Sequence, residues 1–261
     1  MKITKVIRKY VEFILTKFKI LYAQRCFHDQ GVCVKYILKK NNNSDTLAIV
    51  FSACTRRGIK ARYNYVKTLS GLKCSRLHIL DDYADDHRGS YYLGENFSFS
   101  EEKATLALIE RIISETSPKK VIFCGSSKGG YAALNFGLQR ENAKLIVGGP
   151  QYYLSSYLKG SGNIEAYRHI VGEETKEKEQ HLEFYLRDRI KKNPFVATQK
   201  IYMHYSKNEH TYMEHIYDLL EELKNNNYSY EEDIQTYTNH SDISYYFPDY
   251  LRRVVKSIIE S

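Results

Sequence analysis

The chain has no tryptophan, only five cysteines, and no uninterrupted apolar run of 18 residues. The last absence excludes a membrane-spanning helix. The cysteines, Cys26, Cys33, Cys54, Cys74 and Cys124, are odd in number and lack paired ligand spacing. That argues against a disulfide framework and a zinc site, and for a reducing cytoplasm. Cys54 and Cys124 stand at the ends of apolar runs, where a free thiol serves as a small hydrophobe. No arginine-rich arm, zinc finger or aromatic RNA platform is present, so nucleic acid is not an expected partner. The charge-free apolar stretch and small-residue cleavage site of a signal peptide are missing too. So are internal repeats and low-complexity tracts.

What is present suits a globular enzyme-sized domain. A length of 261 residues and a hydrophobic content of 43% allow one large α/β domain or two small ones. The 24 tyrosines fit the core boundary, and those near a cleft suit stacking on sugar rings. A formal charge of +8 reads as a lysine-rich solvated surface, or as attraction to an anionic partner such as lipid headgroups or an acidic glycan. Residues 1–25 carry Lys2, Lys5, Arg8, Lys9, Lys17 and Lys19 among apolar positions. They read as a basic amphipathic helix that docks on the domain or touches a membrane surface or protein complex. The expected location is cytoplasmic, peripheral at the inner face of the membrane if that helix meets lipid.

Apolar runs predict strands at 32–38, 46–51, 76–80, 120–124, 143–147, 200–205 and 232–236. Helices are predicted at 61–69, 101–116 (capped by Ser100), 128–138, 163–171, 175–192, 212–224 and 244–258. This alternation implies a mostly parallel sheet with helices on both faces. Residues 151–194 interrupt it and read as a helical lid. The expected organisation is an N-terminal helix and leading strand over 1–45, then an α/β domain over 46–261.

The most informative stretch is Val121-Ile-Phe-Cys-Gly125-Ser-Ser127-Lys-Gly129-Gly130. A buried strand turns into a small-residue helix with a serine at the apex. Gly125, Ser127 and Gly129 fill the positions of the G-x-S-x-G nucleophile elbow of α/β-hydrolases. A serine hydroxyl is a weak nucleophile that needs a base, itself oriented by a third group. In this fold the chain order is Ser, acid, His. His240 lies between the last predicted strand and the terminal helix, where the base belongs. Glu209 follows the strand at 200–205 and is the chosen acid, with Asp242 and Asp233 as weaker rivals. His204 and His210 are assigned no chemistry, although His210 is placed to line the cleft. The backbone N–H of Lys128 and that of Ala53, in the loop 52–54, are the expected oxyanion donors. The Lys128 ammonium is expected to leave the turn toward an anionic substrate. No metal is expected.

The string Gly125-Ser-Ser-Lys-Gly-Gly-Tyr-Ala-Ala133 resembles the elbow of bacterial α/β-hydrolase-like proteins of glycan and capsule biosynthesis. These are similar to the α/β-hydrolase-like component of the accessory Sec secretion system. Val50-Phe-Ser-Ala53, Arg62-Tyr-Asn-Tyr65, Leu80-Asp-Asp82, Gly89-Ser-Tyr-Tyr92, Gly149-Pro-Gln151, Tyr205-Ser-Lys-Asn-Glu209 and His240-Ser join the resemblance. It covers the chain from Thr46 onward. It implies a serine–glutamate–histidine triad, carried by match onto Ser127, Glu209 and His240, and carbohydrate O-acetylation. The expected activity is therefore an O-acetyl esterase or O-acetyltransferase acting on carbohydrate. No bound cofactor is expected, with acetyl-CoA as acyl donor in the transferase case. Two alternatives stay open: a non-catalytic scaffold of a glycan synthesis or export complex, and a lipid or peptide serine hydrolase.

Overall fold

The structure is a computed structural model that describes residues 22–261. Most of the basic helix expected over 1–25 thus lies outside the described residues. Arg25 itself opens a strand, β1 (Arg25–Asp29), which the sequence did not suggest. It pairs in a hairpin with β2 (Val32–Lys39) through Gln30 (φ 45°) and Gly31 (φ 84°), a pair of positive-φ residues that suits a two-residue hairpin turn. This hairpin corrects the cysteine expectation: Cys26 and Cys33 lie 5.7 Å apart (Cα–Cα) and are joined as a disulfide. Their proximity comes from strand pairing, which spacing alone does not reveal. Cys54, Cys74 and Cys124 are free.

The remaining strands are β3 (Thr46–Phe51), β4 (Ser75–Leu80), β5 (Lys120–Ser126), β6 (Lys144–Gly148), β7 (Lys200–Ser206) and β8 (Tyr230–Gln235). The sheet order is β1-β2-β4-β3-β5-β6-β7-β8. β3 to β8 run parallel, and β2 is antiparallel to both of its neighbours. The central strands are buried on both faces, as their unbroken apolar runs require. In β3, Leu47, Ile49 and Phe51 enter one hydrophobic core with helices α1 (Ser100–Thr116) and α2 (Lys128–Gly137). Ala48 and Val50 enter the opposite core, closed by α8 (Ile243–Glu260). α8 buries Ile243, Phe247, Leu251, Val254, Val255 and Ile258 at helical spacing, about 1.5–3 kcal/mol for each side chain fully removed from water.

Between β6 and β7 lie four short helices: α3 (Leu154–Gly160), α4 (Ile164–Val171), α5 (Lys176–Glu183) and α6 (Tyr185–Lys191). α3 was not anticipated, and the single helix expected over 175–192 is divided at Phe184. After β7 comes a π-helical turn, Tyr212–Ile216, that leads into α7 (Tyr217–Asn225). The helix expected over 61–69 is absent. Tyr65 sits in the left-handed region (φ 58°), Ala61 gives its N–H to His87 O, and the Asn64 side chain is committed to Ala53. α1 begins one residue earlier than expected. Its cap position is Phe99, which offers no side-chain acceptor, and the Ser98 hydroxyl accepts the Ser100 N–H instead. No described helix is long and apolar enough to cross a membrane.

Candidate active site

Ser127 occupies the turn between β5 and α2 with φ 51° and ψ −123°. A non-glycine residue held there stores on the order of 1–3 kcal/mol of strain. Its neighbours impose the conformation. Ser127 N–H donates to Gly148 O at 2.8 Å, while Gly130 and Tyr131 donate to Ser127 O at 2.8 and 2.9 Å. A Cβ on Gly125 would lie 2.3 Å from Gly129 O, and one on Gly129 would lie 2.7 Å from Phe51 O. The two glycines flanking the serine are thus required by backbone contact.

His240 lies in a short 3-10 turn, His240–Asp242, just ahead of α8. Its Nε2 is 3.0 Å from Ser127 Oγ, and its Nδ1 is 2.9 Å from Glu209 Oε2. Glu209, 3% exposed, follows β7, and its other oxygen has no hydrogen-bond partner among the described residues. A carboxylate on Nδ1 fixes the tautomer in which Nε2 is free to accept a proton from the hydroxyl. The two rival acids are engaged elsewhere. Asp233 pairs with His204 Nδ1 at 2.6 Å and with Arg253, and Asp242 accepts from the Asn239 amide. His210 is exposed and sits 3.9 Å from Glu214.

The hydrogen-bond donors around the serine differ from expectation at Ala53 and Gln151. As the first residue of α2, Lys128 has a backbone N–H with no acceptor inside the helix, so it remains available beside Ser127 Oγ. The Ala53 N–H, by contrast, donates to Asn64 Oδ1 at 2.9 Å, and the Ser52 N–H donates to Tyr92 Oη at 2.6 Å. A different donor reaches the hydroxyl: buried Gln151 Nε2 lies 3.2 Å from Ser127 Oγ, with its own oxygen accepting from Tyr91 Oη at 3.3 Å. In the sequence Gln151 stands only within the Gly149-Pro-Gln151 string, with no role attached.

The Lys128 ammonium corrects a further expectation. It is fully buried and faces the core, donating to Asp81 Oδ2 at 2.8 Å, Asp81 O at 3.1 Å and Arg88 O at 2.9 Å. Asp81 also accepts the Ser90 N–H at 2.9 Å and the Tyr92 N–H at 3.2 Å. The Asp81 N–H in turn donates to Ser52 Oγ at 3.1 Å. One polar network therefore ties the exits of β3 and β4 to the residue that follows Ser127. Sequence gives no sign of this, because the partners are 47 residues apart.

Two buried imidazoles are held neutral. Burial pushes His78 down to about 4, and burial together with the charges of His240 and His210 does the same to His215. The unfolded chain binds these protons near pH 6.5, whereas the folded one refuses them until about pH 4. Stability should therefore be fully present above pH 6.5 and fall as pH drops toward 4, by about 2–3 kcal/mol per imidazole. Urea denaturation at pH 7 and pH 4.5 checks this. The acid loss should shrink in His78→Gln, and an identical loss in that variant would contradict the assignment.

No family model and no curated protein matches the chain. Solved structures do. A mutant of the capsule O-acetyltransferase of Neisseria meningitidis serogroup A, in complex with CoA, superposes with a TM-score of 0.75 at 22% identity, over 89% of this chain and 94% of that one. The Glycosylation Associate Protein complex from Streptococcus agalactiae gives 0.72 at 17% identity, over 89% of this chain and 46% of that one. A substrate-bound, fluorophosphonate-binding serine hydrolase of Staphylococcus aureus gives 0.65 at 14% identity, over 90% and 97%. The chain has the α/β-hydrolase fold.

Proposed function

We propose that this protein is a serine-dependent acyl enzyme that transfers acetyl groups to carbohydrate, or removes them, in the making of a bacterial surface glycan. The carrying observation is the placement of His240 within hydrogen-bonding distance of both Ser127 Oγ and Glu209, at a strained strand–helix turn. Ser127 is the nucleophile, His240 the base and Glu209 the acid that orients it. As Ser127 Oγ attacks the acyl carbonyl, His240 Nε2 takes its proton. The oxyanion is met by the Lys128 N–H and the Gln151 amide. Collapse of the adduct breaks the bond to the leaving group, which takes the proton from His240. In the second half, His240 takes a proton from a sugar hydroxyl or water as it attacks the acetyl carbonyl, and passes that proton to Ser127 Oγ as the acyl bond breaks.

The fold's likeness to a CoA-bound capsule O-acetyltransferase favours acetyl-CoA as donor. Arg56, Arg57, Lys60 and Arg62 fit the phosphates of such a donor. They are exposed on the loop that leaves β3 past Ala53, and none forms a salt bridge with another described residue. In this proposal α3 to α6 form the cover of the site within one domain, and the protein works in the cytoplasm, where that donor is available. Assembly into a glycosylation complex, as for the Streptococcus neighbour, remains the alternative role.

Release of free thiol from acetyl-CoA separates the cases. Thiol release that rises with added sugar identifies a transferase, whereas acetate released from an acetylated sugar, with no need of acetyl-CoA, identifies an esterase. No release, with no labelling by a fluorophosphonate probe, would leave the scaffold.

A further inference from the structure

A cavity of about 460 Å³ opens between α3 and the π-turn that precedes α7. It falls within the range of about 300–1,000 Å³ common to small-molecule sites. Ser156, Tyr157, Ser161, His210, Glu214 and His215 line it. We infer that this cavity is the subsite for the sugar that accepts the acetyl group. The inference rests on the acyl-enzyme reading above and adds where the carbohydrate sits.

Its position joins it to the triad. His210 directly follows Glu209 in the chain, and His215 is close enough to His240 to feel its charge. On the other wall, Tyr157 packs against the core that holds Tyr91, whose hydroxyl donates to Gln151, the residue whose amide reaches Ser127 Oγ. None of the lining residues is used by the acyl chemistry.

The lining also selects the ligand. Two hydroxyls, a phenol, two imidazoles and a carboxylate offer alternating donors and acceptors, the chemistry that matches a polyhydroxylated ring. An acyl chain would offer these polar groups no hydrogen bond. A phosphate would meet the Glu214 carboxylate.

His215 is built for the purpose. It is 3% exposed, and its Nδ1 accepts the Tyr153 N–H at 3.3 Å, so the neutral ring carries its proton on Nε2. Burial holds the pKa near 4, so the ring stays neutral at working pH and offers Nε2–H as a donor to a sugar oxygen. Tyr157 packs edge-on against it, with centroids 5.4 Å apart, fixing the ring. The π-turn that carries it, Tyr212–Ile216, inserts a residue into the helix, a distortion found frequently at functional sites.

The test uses the full chain with p-nitrophenyl acetate as donor. The initial burst reads acetylation of the enzyme, and the steady rate reads its release. Glucose, galactose, mannose and their N-acetylamino forms are added in turn as acceptors. At least one should speed release in the wild type and be recovered acetylated by mass spectrometry. His215→Gln should cut that acceleration about fivefold, through KM for the sugar, by more than it changes the burst. The exposed pair His210→Ala and Glu214→Ala, which folding tolerates, should weaken it as well. The inference falls if these variants leave the sugar effect intact, if they alter turnover of longer-chain esters instead, or if no sugar speeds release while the burst is normal. Absence of a burst in the wild type would remove the acyl-enzyme reading, and this subsite with it.

Discussion

Ser127→Ala should abolish labelling by a fluorophosphonate probe and lower acyl turnover by on the order of 10⁴-fold or more. The residue is small and 8% exposed, so the variant should fold, and an unchanged thermal unfolding curve should accompany the lost activity. His240→Ala should cost about as much as the serine change, because nucleophile and base act as a unit. Glu209→Gln should cost less, since it disturbs only the tautomer and orientation of a ring still placed 3.0 Å from the hydroxyl. The double variant of Ser127 and His240 should be no worse than either single one. Additive losses, or a Ser127→Ala enzyme that keeps a tenth of its activity, would show that the three side chains meet without acting together.

The second large effect concerns stability. Removing Asp81 leaves the Lys128 ammonium in a site with no exposure, and breaking a buried ion pair in this way costs about 3–5 kcal/mol. Asp81→Ala should cost more than Lys128→Met, because the Ser90 and Tyr92 N–H groups lose their acceptor along with the ammonium. The double variant Asp81→Ala with Lys128→Met should regain part of the loss, since no charge is then stranded, but those two amides remain unpaired. Urea denaturation of the four proteins supplies the comparison. A loss of only about 1 kcal/mol in Asp81→Ala, the scale of an exposed pair, would contradict the buried network. Activity should follow the same order near the unfolding temperature, because the network anchors the residue next to Ser127.

The central strands were legible because burial on both faces leaves unbroken apolar runs, such as the six residues of β3. The elbow was legible because its glycines are fixed by backbone contact. The positions of Glu209 and His240 followed from the order of elements along the chain, which sequence preserves. What escaped depends on groups distant in sequence. Ala53 presents a backbone N–H that only the structure shows committed to Asn64, and Lys128 reads as an exposed cation until Asp81 is placed against it. Gln151 has no pattern of its own. Residues 61–69 carry helix-compatible composition, yet the Ala61 N–H goes to His87 O, the Asn64 side chain to the Ala53 N–H and the Tyr65 hydroxyl to Ser126 in β5, and that tertiary demand overrides a weak local preference. The cysteine pair of the first hairpin is invisible until the two strands are known to face each other.

The most direct test of the acyl-enzyme claim is peptide mapping by mass spectrometry after a rapid acid quench of the protein mixed with acetyl-CoA or p-nitrophenyl acetate. A single acetyl group should appear on the peptide bearing Ser127, vanish in Ser127→Ala, and decay faster when the accepting sugar is added. An unmodified Ser127, or acetyl groups scattered over Cys54 and surface lysines alone, would contradict it.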